Sequence, residues 1–209
     1  LQYPITVLIH FASHHLTPHS PPTAKQLDKK TLILDLDETL VHAANKSWEF
    51  RKVNANAAGS MAINVSIDSL WTRYYVAKRP HVDTFLSKVT QWYRVVVFTA
   101  SLPEYADPVI SWLDPKNVYF SARYFRSACV PRGASFVKNV TAVEPDLRRV
   151  ILVDNSSMAY ANHQDNGMPI QSWLDDEHDE ALLELLPVLD ALRFVSDVRS
   201  ILSLKGTKR

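Results

Sequence analysis

Cysteine is almost absent from this chain. Cys129 is its single cysteine, so neither an internal disulfide nor a cysteine-rich zinc site can form, and the fold must be held by packing, which suits a reducing compartment. Cys129 itself reads as a small buried hydrophobe. Excess charge of either sign is lacking too. The 23 Lys and Arg against 22 Asp and Glu leave a formal charge of +1, far from the basic balance of non-specific nucleic-acid binding, so no nucleic-acid partner is expected. No apolar run is long: residues 5–11 are interrupted by His10 and fall well short of the ~20 residues of a spanning helix. No Met opens the chain and no basic stretch precedes an apolar core, so it reads as a fragment rather than a precursor with a signal peptide. Internal repeats and low-complexity segments are absent. What is present is 209 residues, 46% hydrophobic and 22% charged, enough to bury a real core and to exclude disorder over most of the length.

The texture changes near position 31. Residues 1–30 hold Pro4, Pro18, Pro21 and Pro22 together with His10, His14, His15 and His19, the composition of a tail or linker. Residues 31–204 read as one domain and 205–209 as a short C-terminal tail. Within the domain, apolar runs at 31–34, 94–98, 149–153 and 168–170 alternate with helical patterns. Continuous β-branched runs suit strands covered on both faces, so the expected fold is α/β, with a largely parallel central sheet and helices on both faces. Val82, Phe85, Leu86 and Val89 share one helix face, as do Tyr105, Val109, Ile110 and Leu113. A Leu-rich helix over 180–194 must kink or divide at Pro187. Ile63, Val65 and Ile67 alternate, a turn follows at 68–69, and 71–76 return, which predicts a small antiparallel β-hairpin insertion and no large cap domain. Trp48, Trp71, Trp92, Trp112 and Trp173 read as core, and His42 and His81 as hydrogen-bonded structural histidines.

Three of the strand-like runs end in a residue able to handle phosphate or metal: Asp35, Thr99 and Asp154. Ligands of open parallel sheets bind outside the carboxyl ends of the strands, so these side chains converge if their strands are neighbours. Asp35 and Asp37 are two apart, which on an extended backbone places both carboxylates on one side and Leu36 on the other. Such carboxylates repel unless a cation or a shared proton relieves them, and a hard divalent ion such as Mg2+ would do so. A single Asp after a strand is ordinarily a cap or turn residue. The ordered set Asp35-Leu-Asp-Glu-Thr, Thr99-Ala-Ser, Phe136-Val-Lys-Asn and Asp154-Asn155 is much harder to read that way.

On that set the sequence resembles the haloacid dehalogenase superfamily of aspartate-nucleophile phosphatases. Asp35-Leu-Asp-Glu-Thr-Leu-Val-His42, Lys78-Arg-Pro-His-Val82, Phe98-Thr-Ala-Ser101 and Asp154-Asn-Ser156 are similar to the carboxy-terminal-domain-phosphatase-like group. Glu104-Tyr-Ala-Asp-Pro-Val-Ile-Ser-Trp112 and Leu185-Leu-Pro-Val-Leu-Asp-Ala-Leu-Arg-Phe194 look most like its Dullard and nuclear envelope morphology phosphatase branch. Two departures stand out: Ser157 where the family usually has Pro, which loosens the turn beside the metal, and Asn139 where it often has Asp, which bears on the orientation of Lys138.

The resemblance implies a Mg2+-dependent protein serine/threonine phosphatase. Asp35 attacks phosphorus and becomes an aspartyl-phosphate; Asp37 is the acid and then the base; Thr99 and Lys138 stabilise the transferring group. Ala100, Ser101 and Arg126 bind substrate. The metal set is Asp35, Asp37 through its backbone carbonyl, Asn155 and Asp154, with Asn155 favoured as the direct ligand. Arg123, Arg126 and Arg132 can engage phosphates or acidic side chains, or form a solvated basic face.

The resemblance further implies a phosphorylated lipin-type phosphatidate phosphatase as substrate and a small membrane regulatory subunit as partner. The implied location is the nuclear envelope and endoplasmic reticulum, facing cytoplasm and nucleoplasm, with membrane association through a missing N-terminal region, the tail or the partner. An RNA polymerase II tail phosphatase shares the same chemistry. A receiver-like domain is disfavoured because its phosphoacceptor follows a middle strand of the chain rather than the first, and a catalytically dead scaffold because every catalytic side-chain type is present. In the tail, Ile5, Leu8, Ile9, Phe11 and Leu16 can form an amphipathic segment that touches a membrane, while the four histidines carry a weaker zinc reading. The many apolar residues of 180–204, or the helix face of Tyr105, Val109 and Trp112, are expected to leave an apolar patch for the partner.

Overall fold

A computed structural model describes residues 29–45, 59–67 and 69–206. The residues of the tail read for membrane contact and zinc, and Trp48, lie outside this set. Among the described residues, ten strands and four α-helices follow in chain order: β1 Thr31–Leu34, β2 Val41–Ala44, β3 Ser60–Ile67, β4 Leu70–Lys78, α1 Val82–Trp92, β5 Arg94–Phe98, α2 Pro103–Leu113, β6 Ala122–Tyr124, β7 Cys129–Arg132, β8 Ser135–Lys138, β9 Val150–Asp154, β10 Gly167–Pro169, α3 Ala181–Leu192 and α4 Arg199–Leu202.

The central sheet is parallel, in the order β10-β9-β1-β5-β6. Its inner strands are the β-branched runs, and every residue of β1 is buried. Alternation divides them between two apolar clusters. Leu32, Leu34, Val95, Val97, Ile151 and Val153 join the buried faces of α1 to α4. Ile33, Val96, Phe98, Val150 and Leu152 join Val140, Val143, Ala159 and Tyr160, contributed by segments with short 3-10 turns.

The register positions the chemistry. Leu34 pairs with Val97 on one side and with Val153 on the other. Asp35 and Asp154 therefore leave the sheet at the same level, where Phe98 and then Thr99 leave β5, and the Asp35 amide donates to the Val153 carbonyl at 3.0 Å.

Between β1 and α1 lies a three-stranded antiparallel sheet, β2-β4-β3, whose β3–β4 hairpin is the insertion expected from the alternating residues. Strand β2 adds to it. A second hairpin, β7–β8, turns through Gly133 and Ala134; Gly133 has φ 61°, the sign a two-residue hairpin turn requires at its first position.

Of the two outcomes expected at Pro187, division does not occur: Pro187 lies inside α3, which runs on to Leu192. Three expectations need correction. Trp71 is exposed because it stands beside the β3–β4 turn, whereas Trp173 is buried. His81 is exposed, adopts φ 63° immediately before α1 and makes no side-chain capping bond. The apolar residues of 180–204 are largely consumed internally: Leu182, Leu185, Val188, Leu189, Leu192, Val198, Ile201 and Leu202 are all core, as are Tyr105 and Val109, because α3 and α4 pack into the same cluster as the sheet. Among the described residues, only Phe194 of that region is a large apolar side chain standing half exposed. No described helix is long and apolar enough to cross a membrane.

Candidate active site

Lys138, the last residue of β8, is the centre of the site. Its backbone amide is fixed by the Ala159 carbonyl at 2.8 Å, and its fully buried Nζ lies between two carboxylates, 2.5 Å from Asp35 Oδ1 and 2.6 Å from Asp154 Oδ2. Burial works to strip the ammonium of its proton, but the two carboxylates overcome it and hold its pKa above the ordinary lysine value. Asp154 is pushed up to about 6, first by burial and then by the charge of Asp35, against the pull of Lys138. Its Oδ1 accepts from the Ser156 amide at 2.8 Å. Asn139 does not disturb Lys138: its side-chain oxygen accepts from the amide and hydroxyl of Thr141 and caps the following 3-10 turn.

Asp37 sits in different surroundings. Its Oδ1 accepts from the Tyr105 hydroxyl at 2.6 Å and its Oδ2 from the Ser101 hydroxyl at 2.7 Å. Its pKa is raised: burial and the Asp35 charge outweigh the opposing hydrogen bonds from Tyr105 and Ser101 and the Lys138 charge. The two aspartates thus share a site but not an environment, an arrangement that lets neighbouring carboxyl groups take separate acid/base roles. Leu36 between them is wholly buried in the core.

Thr99 is buried, donates its amide to the Tyr124 carbonyl and accepts at Oγ1 from the Ser101 amide at 3.0 Å. The Ala100 carbonyl accepts from Arg126 Nε at 2.6 Å, and the Arg126 guanidinium lies over the Phe136 ring. Arg126 therefore borders the Thr99–Ser101 loop. Arg123 does not: it reaches Asp107 at 2.7 Å and Ser111 on α2, so it serves the packing of β6 on that helix. Arg132 lies exposed at the β7–β8 turn. Cys129 is half-buried, with Sγ 3.8 Å from the Thr99 carbonyl, and burial raises its pKa.

Asn155 is held by Glu38 Oε2 at 3.2 Å and Ser172 Oγ at 2.8 Å through its amide nitrogen, while its oxygen faces the Thr39 hydroxyl at 3.4 Å. These residues fit a hard divalent cation. With Asp37 holding the proton of its acid role, Asp35 and Asp154 against Lys138 still leave a net negative charge in a buried site, and the available donors are carboxylate, amide and carbonyl oxygens. Among the described residues no three His, Cys, Asp or Glu side chains form a ready ligand group. The reason is visible: Lys138 separates Asp35 from Asp154, and the Asp37 carboxylate is turned to Ser101 and Tyr105, leaving its backbone carbonyl as its donor to an ion.

Arg79 was missed as a functional residue. It is buried, clasps Asp179 with two bonds of 2.7 Å, and donates from Nη1 to the carbonyls of Glu38 and Thr39. The Trp173 amide also donates to the Glu38 carbonyl. Glu38 has φ 61°, an uncommon conformation for a residue with a side chain, and these bonds hold the turn that follows Asp37. Arg79→Lys should lower stability by about 3 kcal/mol, since an ammonium cannot reproduce the paired contacts of a buried guanidinium; denaturant unfolding and turnover, measured together, should both report the loss.

Residues 30–199 match the family model described as NLI interacting factor-like phosphatase. The chain is 44% identical over 188 residues to zebrafish CTD nuclear envelope phosphatase 1B, covering 90% of this chain and 77% of the relative. It is 44% identical over 193 residues to the Drosophila melanogaster CTD nuclear envelope phosphatase 1 homolog, covering 91% and 79%. It is 41% identical over 191 residues to Nuclear envelope morphology protein 1 of Saccharomyces cerevisiae, covering 85% of this chain and 42% of the larger relative. Among solved structures, Fcp1, an essential RNA polymerase II CTD phosphatase, superposes with a TM-score of 0.61 at 18% identity over 88% of this chain and 56% of that one. A fission yeast form bound to beryllium fluoride gives 0.60 at 19% identity over 87% and 56%. At that identity the likeness is one of fold.

Proposed function

Because this chain belongs to the NLI interacting factor-like phosphatase family, we propose that its site removes phosphate from seryl and threonyl side chains of a protein through an aspartyl-phosphate at Asp35. The chain is a phosphatase, and its relatives support a nuclear envelope protein phosphatase of the Dullard branch. One observation carries the mechanism: Lys138 bridges Asp35 and Asp154, while Asp37, two residues from Asp35, is held in a separate pocket with a raised pKa.

The roles follow from these positions. The free oxygen of Asp35 forms a bond to phosphorus as the bond to the seryl oxygen breaks, and Asp37 gives that oxygen its proton. In the second half, Asp37 takes a proton from the water that attacks the aspartyl-phosphate. Thr99 and Lys138 supply fixed donors and positive charge to the transferring oxygens. Phosphatases of this type are in general metal dependent. We assign the ion as Mg2+, held by Asp35, the Asp37 carbonyl and Asn155 with Asp154 beside it; when bound it offsets phosphoryl charge. Arg126, Ala100 and Ser101 border the position of the substrate chain.

A lipin-type phosphatidate phosphatase is the proposed substrate and a small membrane regulatory subunit the proposed partner, at the nuclear envelope and endoplasmic reticulum on the cytoplasmic and nucleoplasmic side. The relatives named for the nuclear envelope favour this over the polymerase tail. The test is hydrolysis of phosphorylated lipin and polymerase-tail peptides before and after chelation. EDTA should abolish turnover, Mg2+ should restore it, and the lipin peptide should be preferred. Undiminished activity in EDTA would exclude the metal assignment, and preference for the tail peptide would reverse the substrate assignment.

A further inference from the structure

The geometry points to Tyr105 as a positioning residue that aims the acid/base Asp37, with Tyr74 of the β3–β4 hairpin holding Tyr105 in place; this rests on the role read for Asp37 above. Tyr105 lies in the first turn of α2, and its ring is buried. A buried tyrosine hydroxyl needs a hydrogen-bond partner, and here that partner is Asp37 Oδ1, at 2.6 Å. With Ser101 on Oδ2 at 2.7 Å, each oxygen of Asp37 has one hydroxyl donor, which fixes the plane of the carboxyl group.

The far side of Tyr105 is closed by the insertion. The Tyr74 ring packs against the Tyr105 ring with centroids 5.2 Å apart and planes tilted by 58°. Tyr74 is itself in register with Ile63 across the hairpin. Further along β4, the Lys78 ammonium lies 5.1 Å over the Trp112 ring, so the same strand meets α2 twice. The insertion therefore does more than border the site: through Tyr74 and Tyr105 it sets the direction in which Asp37 presents its proton to the leaving oxygen.

The test separates aim from packing by leaving-group chemistry. Expulsion of a basic alkoxide or phenoxide needs the proton of Asp37, and expulsion of 4-nitrophenoxide needs it little. Tyr105→Phe keeps the ring against Tyr74 and removes only the hydroxyl. Its kcat/KM should fall roughly tenfold or more with 4-methylphenyl phosphate and stay within about threefold with 4-nitrophenyl phosphate, an ester of similar size. Tyr74→Ala should show the same bias, and Tyr74→Phe should restore the parent ratio. Equal losses on the two esters, or no loss on either, would overturn the role of Tyr105. Should Tyr105→Phe fail to fold, the Tyr74→Ala and Tyr74→Phe pair decides by the same ratio. Asp35→Asn measured alongside keeps the two ideas apart, since turnover persisting there overturns the aspartyl-phosphate reading itself.

Discussion

Asp35→Asn should lose turnover by on the order of 10⁴-fold or more while remaining folded and no less stable than the parent. The first half follows from the absence of a substitute. Asp154, the other carboxylate on Lys138, already accepts from Lys138 at Oδ2 and from the Ser156 amide at Oδ1, and Asp37 is engaged by Ser101 and Tyr105. The second half follows from charge. Asp35 and Asp154 repel each other across Lys138, which contributes to the raised pKa of Asp154. An amide at position 35 removes that repulsion and still accepts from Lys138, while Asp154 continues to balance the ammonium. Thermal unfolding and phosphopeptide turnover of the same preparation check both halves. Asp37→Asn should be nearly as inactive, because it removes the acid of the first step and the base of the second.

Lys138→Met should differ from Asp35→Asn in the stability result. It also removes catalysis, since the transferring oxygens lose a fixed positive charge. In addition, in the metal-free protein it strands Asp35 and Asp154 in a buried site without their ammonium partner, and breaking a buried pair from one side typically costs about 3–5 kcal/mol. Denaturant unfolding should therefore place Lys138→Met well below the parent, and Asp35→Asn at or above it. The double change Lys138→Met with Asp35→Asn should recover part of the lost stability without recovering turnover, because one of the two stranded charges has gone.

The elements that were legible in the sequence are those whose residues are buried on a regular pattern. Strands β1, β5 and β9 are continuous β-branched runs, and the faces of α1 and α2 follow the spacing of Val82 to Val89 and of Tyr105 to Leu113. Strands β2, β6, β7 and β8 were not legible. They are short and partly exposed, and β7 contains Pro131, so none shows the alternation or continuous run that marks a strand. The same distinction governs the site. Asp35, Thr99 and Asp154 could be found because the first two directly follow a buried strand and the third ends one. Tyr105 was read only as part of an apolar helix face, a motif and a candidate partner patch, and Arg79 only as part of a motif, because their partners lie far along the chain: Asp37 is 68 positions from Tyr105 and Asp179 is 100 from Arg79. Only the parallel register and the placement of the insertion bring such pairs together, and neither leaves a local signal.

The central claim is that phosphate passes through Asp35. The direct measurement is to quench the working enzyme in acid with a labelled phosphopeptide, digest it, and locate the label by mass spectrometry. The account requires an acid-stable, hydroxylamine-sensitive acyl phosphate in the peptide containing Asp35, longer-lived in Asp37→Asn if phosphoenzyme still forms there, and absent from Asp35→Asn. Label on any other residue, or steady turnover by an enzyme whose position 35 never carries phosphate, would contradict it.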